Sequence, residues 1–423
     1  MTTTIVPRTQ DLSEGALGMA LLDIERGDLS TARRHLAQAT VRGVSTGSNA
    51  SLFHGAPALE FVLARAHGAG DDVRAAVDRV VDARLAAAHR RQAAGALPHL
   101  AEWDLIRGLT GLAALLLSRR PIAPRLPDVL ACLVALAHPA RGEGRILPGW
   151  WSLVGPDGKR MVGGHGNNGM AHGIAGPLAV LSLALRAGVS VPGQEEAVGT
   201  FATWLDRHGA HYWSTAADLE ADQPPAAEPA RQSWCYGQPG IARAQQLAAL
   251  ALGDTARRQA AEDIVETILT DPLRLARITD STLCHGWAGL LTLTRAVAAD
   301  SPAPARFTPI IQDLHRRLAA VLDQQQTKLY TGVKFRQGSA WEWLYLYLAC
   351  VLPNGLSRLP GQRPGFTPHF GWGSMAALDA GSLAYLTIRE GEDDKGRYWE
   401  VGVIGHGEGG ADLAERVVSE IRA

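Results

Sequence analysis

The chain has 423 residues, and its 41 lysines and arginines nearly balance its 42 aspartates and glutamates. This balance excludes a protein that recognises nucleic acid or an anionic membrane through a strong net charge. Hydrophobic residues make up 46% of the chain and aromatic residues only 6%, and the abundance of alanine and leucine favours helices over sheets. No stretch of about 18 residues is apolar throughout, and the first residues, MTTTIVPRTQDLSEG, lack the apolar core of a signal peptide. We therefore expect a cytoplasmic protein that does not insert into membranes and binds no nucleic acid.

In chain order, the first predicted elements are helices that begin at a recurring glycine motif. Examples are LSEGALGMALL at 12–22, MAHGIAGPLAVLSL at 170–183 and LCHGWAGLLTLT at 283–294. Each copy opens an apolar run, and amphipathic stretches such as 73–91 and 256–270 lie between the copies. The motif occurs seven times, and the first glycines of the copies are Gly15, Gly55, Gly108, Gly173, Gly237, Gly286 and Gly338.

Seven units of this size predict a repeat architecture of helix pairs. The runs that are apolar all round belong in an inner layer, and the amphipathic helices cover them from outside. Unequal spacing between the motifs argues against an open solenoid, so we expect the repeats to close into a ring. Most of the motif glycines have a structural explanation, because a residue without Cβ permits tight turns and close helix approach. Ala58 and Trp341 stand where two copies would have their second glycine.

The last part of the chain differs from the repeats. Residues 355–366 form a stretch rich in proline and glycine, which is typical of a linker. Two strands are predicted at 382–390 and 397–407, and an amphipathic helix at 410–423. We therefore predict two domains, a repeat domain at 10–352 and a small α+β appendage at 365–423 that docks a peptide or a partner enzyme.

Two of the loops that precede a first glycine carry groups that bind metals. One loop contains Cys235, and the next contains the adjacent pair Cys284 and His285. In a ring of repeats these loops lie at one end, and two thiolates with one imidazole suit tetrahedral zinc with one open position. From the spacing alone, buried reduced cysteines are an equally good interpretation. The chain has four cysteines, too few for a disulfide scaffold, and Cys132 and Cys350 are expected in the core.

The motifs AHGIAGP, SWCYGQPG and LCHGWAG resemble those of the lanthionine synthetase C family, the lantibiotic or lanthipeptide cyclases. The resemblance covers about residues 10–350, and the WCYG and CHG motifs are very specific to that family. It implies an all-α fold, an α/α toroid of seven inner and seven outer helices, with Zn²⁺ held at one end by Cys235, Cys284 and His285. It also implies the addition of a cysteine thiol to dehydroalanine or dehydrobutyrine in a precursor peptide, which closes lanthionine or methyllanthionine rings.

The same resemblance places further functional positions at His172, Asp104, Arg231 and Tyr236. His172 is our candidate for the acid that protonates the α-carbon, because histidine titrates near neutrality. Asp104 would orient a histidine or act as base for the incoming thiol, although an aspartate at such a position is by itself more often a helix cap. Arg231 would hold Asp104 or the enolate through its fork of donors, and Tyr236 would hydrogen-bond either one. His54 occupies the same loop position as His172, and we interpret it as structural.

The expected partners are a dehydrated lanthipeptide precursor, a separate dehydratase and an exporter, in a complex that would bring the protein to the membrane surface. The chain is too short to carry a dehydratase domain of its own. Three alternatives remain open: a zinc-containing peptide-binding scaffold without turnover, a zinc-dependent thiol-alkylating enzyme such as a protein prenyltransferase, and a glutathione-adding relative. Prenyltransferases use an Asp/Cys/His set, and the two cysteines here argue against that class.

Overall fold

The computed structural model describes residues 9–13, 15–66, 68–155, 158–221 and 231–330, and the strand segments 377–378, 382–393 and 396–406. Within these residues the chain is mostly helical. The helices are α1 (Ala16–Glu25), α2 (Leu29–Thr40), α3 (Ala56–Ala66), α4 (Asp71–Ala93), α5 (Leu100–Trp103), α6 (Leu109–Ser118), α7 (Leu126–Val134), α8 (Ala175–Arg186), α9 (Gln194–His208), α10 (Ala216–Glu220), α11 (Gln238–Leu252), α12 (Thr255–Thr270), α13 (Pro272–Leu275), α14 (Trp287–Asp300) and α15 (Thr308–Tyr330). Among the described residues, no helix combines the length and the apolar character needed to cross a membrane.

Six of the seven predicted motif helices lie in the described residues, and all six are confirmed. They are α1, α3, α6, α8, α11 and α14, and each begins directly after its motif glycine or two residues later. Each of these motif helices packs against the next motif helix in chain order. The first five also pack against the helix that directly follows them in the chain, namely α2, α4, α7, α9 and α12. The amphipathic stretches predicted at 73–91 and 256–270 are the covering helices α4 and α12. The seventh motif, at Gly338, lies outside the described residues.

The motif glycines allow each loop to fold back over the first turn of its helix. Gly237 has φ +147°, which side chains rarely adopt. At the second glycine of two motifs, a Cβ would collide with the carbonyl oxygen of the loop above it: Gly240 lies under Trp234, and Gly289 lies under Leu283. The structural explanation of these glycines is therefore supported by their surroundings.

Backbone hydrogen bonds join the loops of four successive repeats into a row. The amide of Leu105 donates to the carbonyl of Ala171 (3.1 Å), and the amide of Ala171 donates to the carbonyl of Cys235 (3.3 Å). The amide of Cys235 in turn donates to the carbonyl of Cys284 (3.2 Å). Residues that are far apart in sequence are brought side by side at one end of the helices by this row.

Short strands lie between the third and fifth motif helices. A hairpin pairs β1 (Ala140–Gly142) with β2 (Arg145–Leu147), and β4 (Arg160–Asn167) pairs on either side with β3 (Ser152–Val154) and β5 (Trp213–Thr215), all antiparallel. Strand β4 ends five residues before His172, so the sheet delivers the chain directly into the loop that carries this histidine. The fold is therefore mostly, rather than entirely, helical.

Residues 9–315 belong to a first compact unit, and the described residues from 316 onward belong to a second. In the second unit β7 (Ser382–Asp393) pairs antiparallel with β8 (Gly396–His406), and β6 (Ala377–Leu378) pairs with β7. These are the two strands predicted at 382–390 and 397–407; β7 extends three residues further, and β8 begins and ends one residue earlier. The domain limits at 352 and 365 and the helix at 410–423 lie outside the described residues, so they stay predictions.

Candidate active site

Cys235, Cys284 and His285 meet at the ends of two neighbouring loops. Cys235 lies three residues before α11, and Cys284 and His285 lie three and two residues before α14. One ligand atom from each of the three side chains lies within 4.8 Å of those of the other two. Both cysteines are buried, and His285 is partly exposed. The predicted metal ligands are therefore brought together, with the imidazole on the open side.

The environment of this cluster favours a thiolate. A hydrogen bond from Cys284 holds the pKa of the Cys235 thiol well below its usual value, and His285 and Ser233 act in the same direction. Burial opposes the ionisation but is outweighed. Cys132, by contrast, is buried away from the cluster, and burial raises its pKa to about 11. Cys132 therefore behaves as the core residue that was predicted, whereas Cys350 lies outside the described residues.

Asp104 and His172 form a second group at the same row of loops. The Oδ2 atom of Asp104 is 2.7 Å from the Nδ1 atom of His172. The other oxygen, Oδ1, accepts hydrogen bonds from the backbone amides of Arg107 (2.6 Å) and Gly108 (3.0 Å). Asp104 is fully buried, whereas a quarter of the His172 side chain is exposed. The carboxylate is thus fixed from behind and holds one nitrogen of an imidazole whose other edge is open.

Tyr236 connects the two groups. Its ring centroid is 6.3 Å from that of His172, and it follows Cys235 in the chain. The hydroxyl of Tyr236 accepts a hydrogen bond from the side-chain amide of Asn167 (2.8 Å). The orientation of that amide is set by its oxygen, which accepts from the backbone N–H of Gly169 (3.1 Å). Because the phenol accepts from Asn167, its own proton is available to another acceptor.

Burial raises the pKa of Tyr236, so the hydroxyl keeps its proton at neutral pH. The ring of Tyr212 packs edge-on against Tyr236 at 5.3 Å between centroids, and the Tyr212 hydroxyl donates to the carbonyl of Arg231 (3.3 Å). This aromatic pair lies beside Cys235, because Tyr236 follows that cysteine in the chain.

Arg231 contacts a different carboxylate from Asp104, one of the two partners predicted for it. Its guanidinium is 3.7 Å from the carboxylate of Asp280, and among the described contacts it forms no ion pair with Asp104. Asp280 belongs to the loop of Cys284 and His285, so Arg231 bridges the two loops that carry the cysteines. The expectation that Arg231 holds Asp104 is therefore not met in this structure.

His54 has a partner of its own. Its Nδ1 atom is 2.6 Å from Oδ1 of Asp11, and this pair spans the first two repeats as His172 and Asp104 span the third and fourth. Both aspartates lie four residues before a first glycine, and both histidines lie directly before one. The geometry repeats, but none of the cysteines in the described part of the chain lies in the loops of the first pair.

The profile of the lanthionine synthetase C-like protein family matches residues 6–340. The chain belongs to this family. No curated protein matches the sequence significantly. Among solved structures, nisin cyclase matches with a TM-score of 0.58 at 19% sequence identity, and the match covers 75% of this chain and 83% of that one. At this identity the likeness concerns the fold, and it agrees with the mostly helical repeat architecture.

Three residues of this lanthionine synthetase C-like site were missed in the sequence. Asn167 and Tyr212 lie outside the glycine motifs: Asn167 is the last residue of β4, and Tyr212 directly precedes β5. The repeat pattern therefore gave no signal for either residue. Asp280 did carry a signal: an aspartate two residues before Thr282 is typical of a turn in which the side chain caps the backbone. That signal predicts local structure, and only the fold shows that the same carboxylate faces His285.

Proposed function

We propose that this chain is a zinc-dependent peptide cyclase that adds a cysteine thiol to dehydroalanine or dehydrobutyrine in a precursor peptide, forming lanthionine or methyllanthionine. Membership of the lanthionine synthetase C-like family supports this proposal. The observation that carries it is the convergence of Cys235, Cys284 and His285 within 4.8 Å, in the same row of loops as the Asp104–His172 pair.

The three donors fit zinc. In a tetrahedral site with Zn–S bonds of about 2.3 Å, two sulfur ligands lie about 3.8 Å apart, which the 4.8 Å limit on this cluster accommodates. The low pKa of Cys235 provides a thiolate, the form that binds metal. Cys235, Cys284 and His285 would hold the ion, and bound zinc would supply a coordination position in which a peptide thiol loses its proton. Three protein ligands with one open position are typical of catalytic zinc.

His172 is suited to deliver the proton that completes the reaction. The peptide sulfur forms a bond to the β-carbon, the π electron pair moves into an enolate on the peptide, and the α-carbon then takes up a proton. The thiol has lost one proton and the α-carbon gains one, so no other reactant is needed. With Nδ1 held by Asp104 at 2.7 Å, the Nε2 atom of this partly exposed side chain would carry the proton to the α-carbon.

Tyr236 would act on the developing charge, whereas Arg231 would bind the peptide. The proton of the Tyr236 hydroxyl is free to be donated, because Asn167 already donates to that oxygen. A donor of this kind stabilises an enolate oxygen in a site with little water. Arg231 is 38% exposed, so its guanidinium remains reachable for the peptide, and we assign it to peptide binding at the rim.

The same proposal extends to the whole chain. The six described helix units would be joined by the seventh motif, at Gly338, in a toroid of seven inner and seven outer helices covering 10–352. The appendage at 365–423 would dock the precursor or a partner enzyme. The protein would work in the cytoplasm beside a separate dehydratase and an exporter, through which it would reach the membrane periphery.

Cyclisation leaves the mass of a dehydrated precursor unchanged but removes its free thiols. We would incubate the zinc-loaded full chain with a dehydrated precursor, alkylate the remaining thiols and count the adducts by mass spectrometry. The expected result is one alkylated thiol fewer for each ring, and this loss should depend on enzyme and on His172. An unchanged thiol count in the presence of bound zinc would replace this proposal with the peptide-binding scaffold.

A further inference from the structure

Asp280 lies between a proposed metal ligand and an arginine. Its Oδ2 atom is 3.7 Å from the Nε2 atom of His285 and 3.7 Å from the Nη1 atom of Arg231. Its other oxygen, Oδ1, accepts hydrogen bonds from the backbone amide (2.9 Å) and the hydroxyl (2.5 Å) of Thr282. One oxygen is thus bound within the loop, and the other faces the imidazole.

The loop around Asp280 is built to hold this carboxylate in place. The backbone amide of Trp287 donates to the carbonyl of Asp280 (3.0 Å), and the amide of Gly286 donates to the carbonyl of Thr282 (3.0 Å). A Cβ on Gly286 would collide with the carboxylate and the carbonyl of Asp280. The motif glycine therefore does more than permit a turn: it leaves the space in which Asp280 stands beside His285.

We infer that Asp280 is a positioning residue for the metal ligand His285, accepting the Nε2–H of the imidazole and leaving Nδ1 for the ion. This inference rests on the zinc site of the proposed function. Histidine ligands commonly donate their second N–H to a carboxylate, which fixes the tautomer and the ring orientation and makes the ligand more basic. Asp280 stands outside the group whose ligand atoms lie within 4.8 Å of one another, so it acts on the ligand and not as one.

The present distance is consistent with this role. At 3.7 Å the contact between Asp280 and His285 is an ion-pair distance, and a movement of about 1 Å would make it a hydrogen bond. Because Oδ1 is held by Thr282, the imidazole is the group that would move, and Nδ1 would be the nitrogen that holds the ion. Arg231 approaches the same oxygen at 3.7 Å, so Asp280 links the proposed metal ligand to this arginine.

The test is zinc affinity, which does not depend on cyclase activity. The full chain, its D280N variant and a D271N control are titrated with Zn²⁺ in competition with a chromophoric chelator. Asparagine at 280 keeps an oxygen for Thr282 but presents an amide to His285, so the zinc dissociation constant should rise about 10–100-fold. Asp271 also accepts backbone amides in a turn and pairs with an arginine, Arg274. Its described partners are Leu273 and Arg274 and not residues of the cluster, so D271N should bind zinc as the native chain does.

Further variants separate a local effect from a general one. D280E restores the carboxylate and should recover part of the affinity, while the thermal stability of the metal-free chain should be the same for D280N and the native protein. A dissociation constant unchanged in D280N, or raised equally in D271N, would overturn the inference and leave the zinc site intact. Loss of zinc binding in C284A together with normal binding in the native chain establishes the site itself. A native chain that binds no zinc would remove both the site and the role of Asp280.

Discussion

Replacing Asp104 by asparagine tests how the carboxylate controls His172. Oδ1 of Asp104 accepts two backbone amides, those of Arg107 and Gly108. The asparagine oxygen would remain in that position, so its amide nitrogen would face Nδ1 of His172. The side-chain N–H of the asparagine would then donate to Nδ1 of His172, where the carboxylate of Asp104 accepts from it, so Nδ1 must carry a lone pair and no proton. The imidazole is held as the Nε2–H tautomer, and its doubly protonated form loses its counterion.

The size of the effect follows from the burial of the pair. Asp104 is fully buried at 2.7 Å from Nδ1, so little solvent screens its stabilisation of the imidazolium. General acid catalysis contributes about 10²–10⁴-fold, which corresponds to about 3–5 kcal/mol at 1.36 kcal/mol per tenfold change in rate. We expect D104N to lower kcat by this range. The free energy of unfolding should change by only about 1 kcal/mol, because the backbone hydrogen bonds to the side-chain oxygen persist.

The Asp11–His54 pair provides a matched control. D11N makes the same change at a contact of 2.6 Å in the first two repeats, and we expect it to leave turnover within about threefold of the native rate, well below the loss from general acid removal. Turnover is followed as loss of alkylatable thiols from a dehydrated precursor, and unfolding by urea. If D104N turned over as fast as the native chain, or if D11N lost as much activity, the assignment of His172 as the proton donor would be wrong.

Three further predictions concern the phenol, the metal and a buried histidine. Asn167 donates to the Tyr236 oxygen, whereas the carboxylate of N167D would accept the Tyr236 proton. N167D and Y236F should therefore both lower kcat by about tenfold or more, as expected for the loss of one oxyanion donor. Steady-state kinetics at saturating precursor would measure this. Removing zinc with a chelator, or introducing C284A, should abolish thiol loss and lower the thermal midpoint, because an ion that binds only the folded chain stabilises it; elemental analysis and a thermal scan measure both. His208 is buried against the ring of Trp204 at 3.9 Å between centroids, and burial lowers its pKa from 6.5 to about 4. Between these pH values the unfolded chain binds a proton at His208 that the folded chain does not. The free energy of unfolding should therefore fall as the pH falls, by no more than about 2 kcal/mol between pH 6.5 and pH 5. Urea unfolding at pH 7 and pH 5 should show this loss in the native chain and a smaller one in H208Q.

The repeat helices could be predicted because their signal is local and periodic. Each apolar run follows a first glycine, and a second glycine three residues later is required by close approach of the loop in two motifs, as at Gly240 under the carbonyl of Trp234. Six of these helices are confirmed. The neighbourhood of Cys235, Cys284 and His285 also followed from sequence, because loops at the same position of adjacent repeats must lie side by side. Neither inference needs knowledge of where a side chain points.

What could not be predicted depends on side-chain direction across repeats. Arg231 pairs with Asp280 and not with Asp104 because its loop neighbours the cysteine loop of the next repeat, a choice between two carboxylates that the sequence leaves open. Asn167 was missed for the same reason, since its contact with Tyr236 joins residues 69 positions apart. The roles of the individual residues stay predictions until the variants are measured.

The row of backbone hydrogen bonds explains why the site has its composition. In this row the residue two before each first glycine, Ala171, Cys235 or Cys284, uses its carbonyl to accept from the preceding loop. The position is thereby fixed to the neighbouring repeat, and a side chain there has little freedom. A metal ligand benefits from that rigidity, because the geometry is set before the ion arrives, and two of the three proposed ligands occupy this position.

The adjacent position, directly before the glycine, carries His172, Tyr236 and His285, which are partly exposed. A proton donor or a ligand that must meet the peptide needs such exposure. Each repeat thus offers a rigid position, which carries two of the proposed ligands, and a more exposed one, which carries the third ligand, the proposed proton donor and Tyr236.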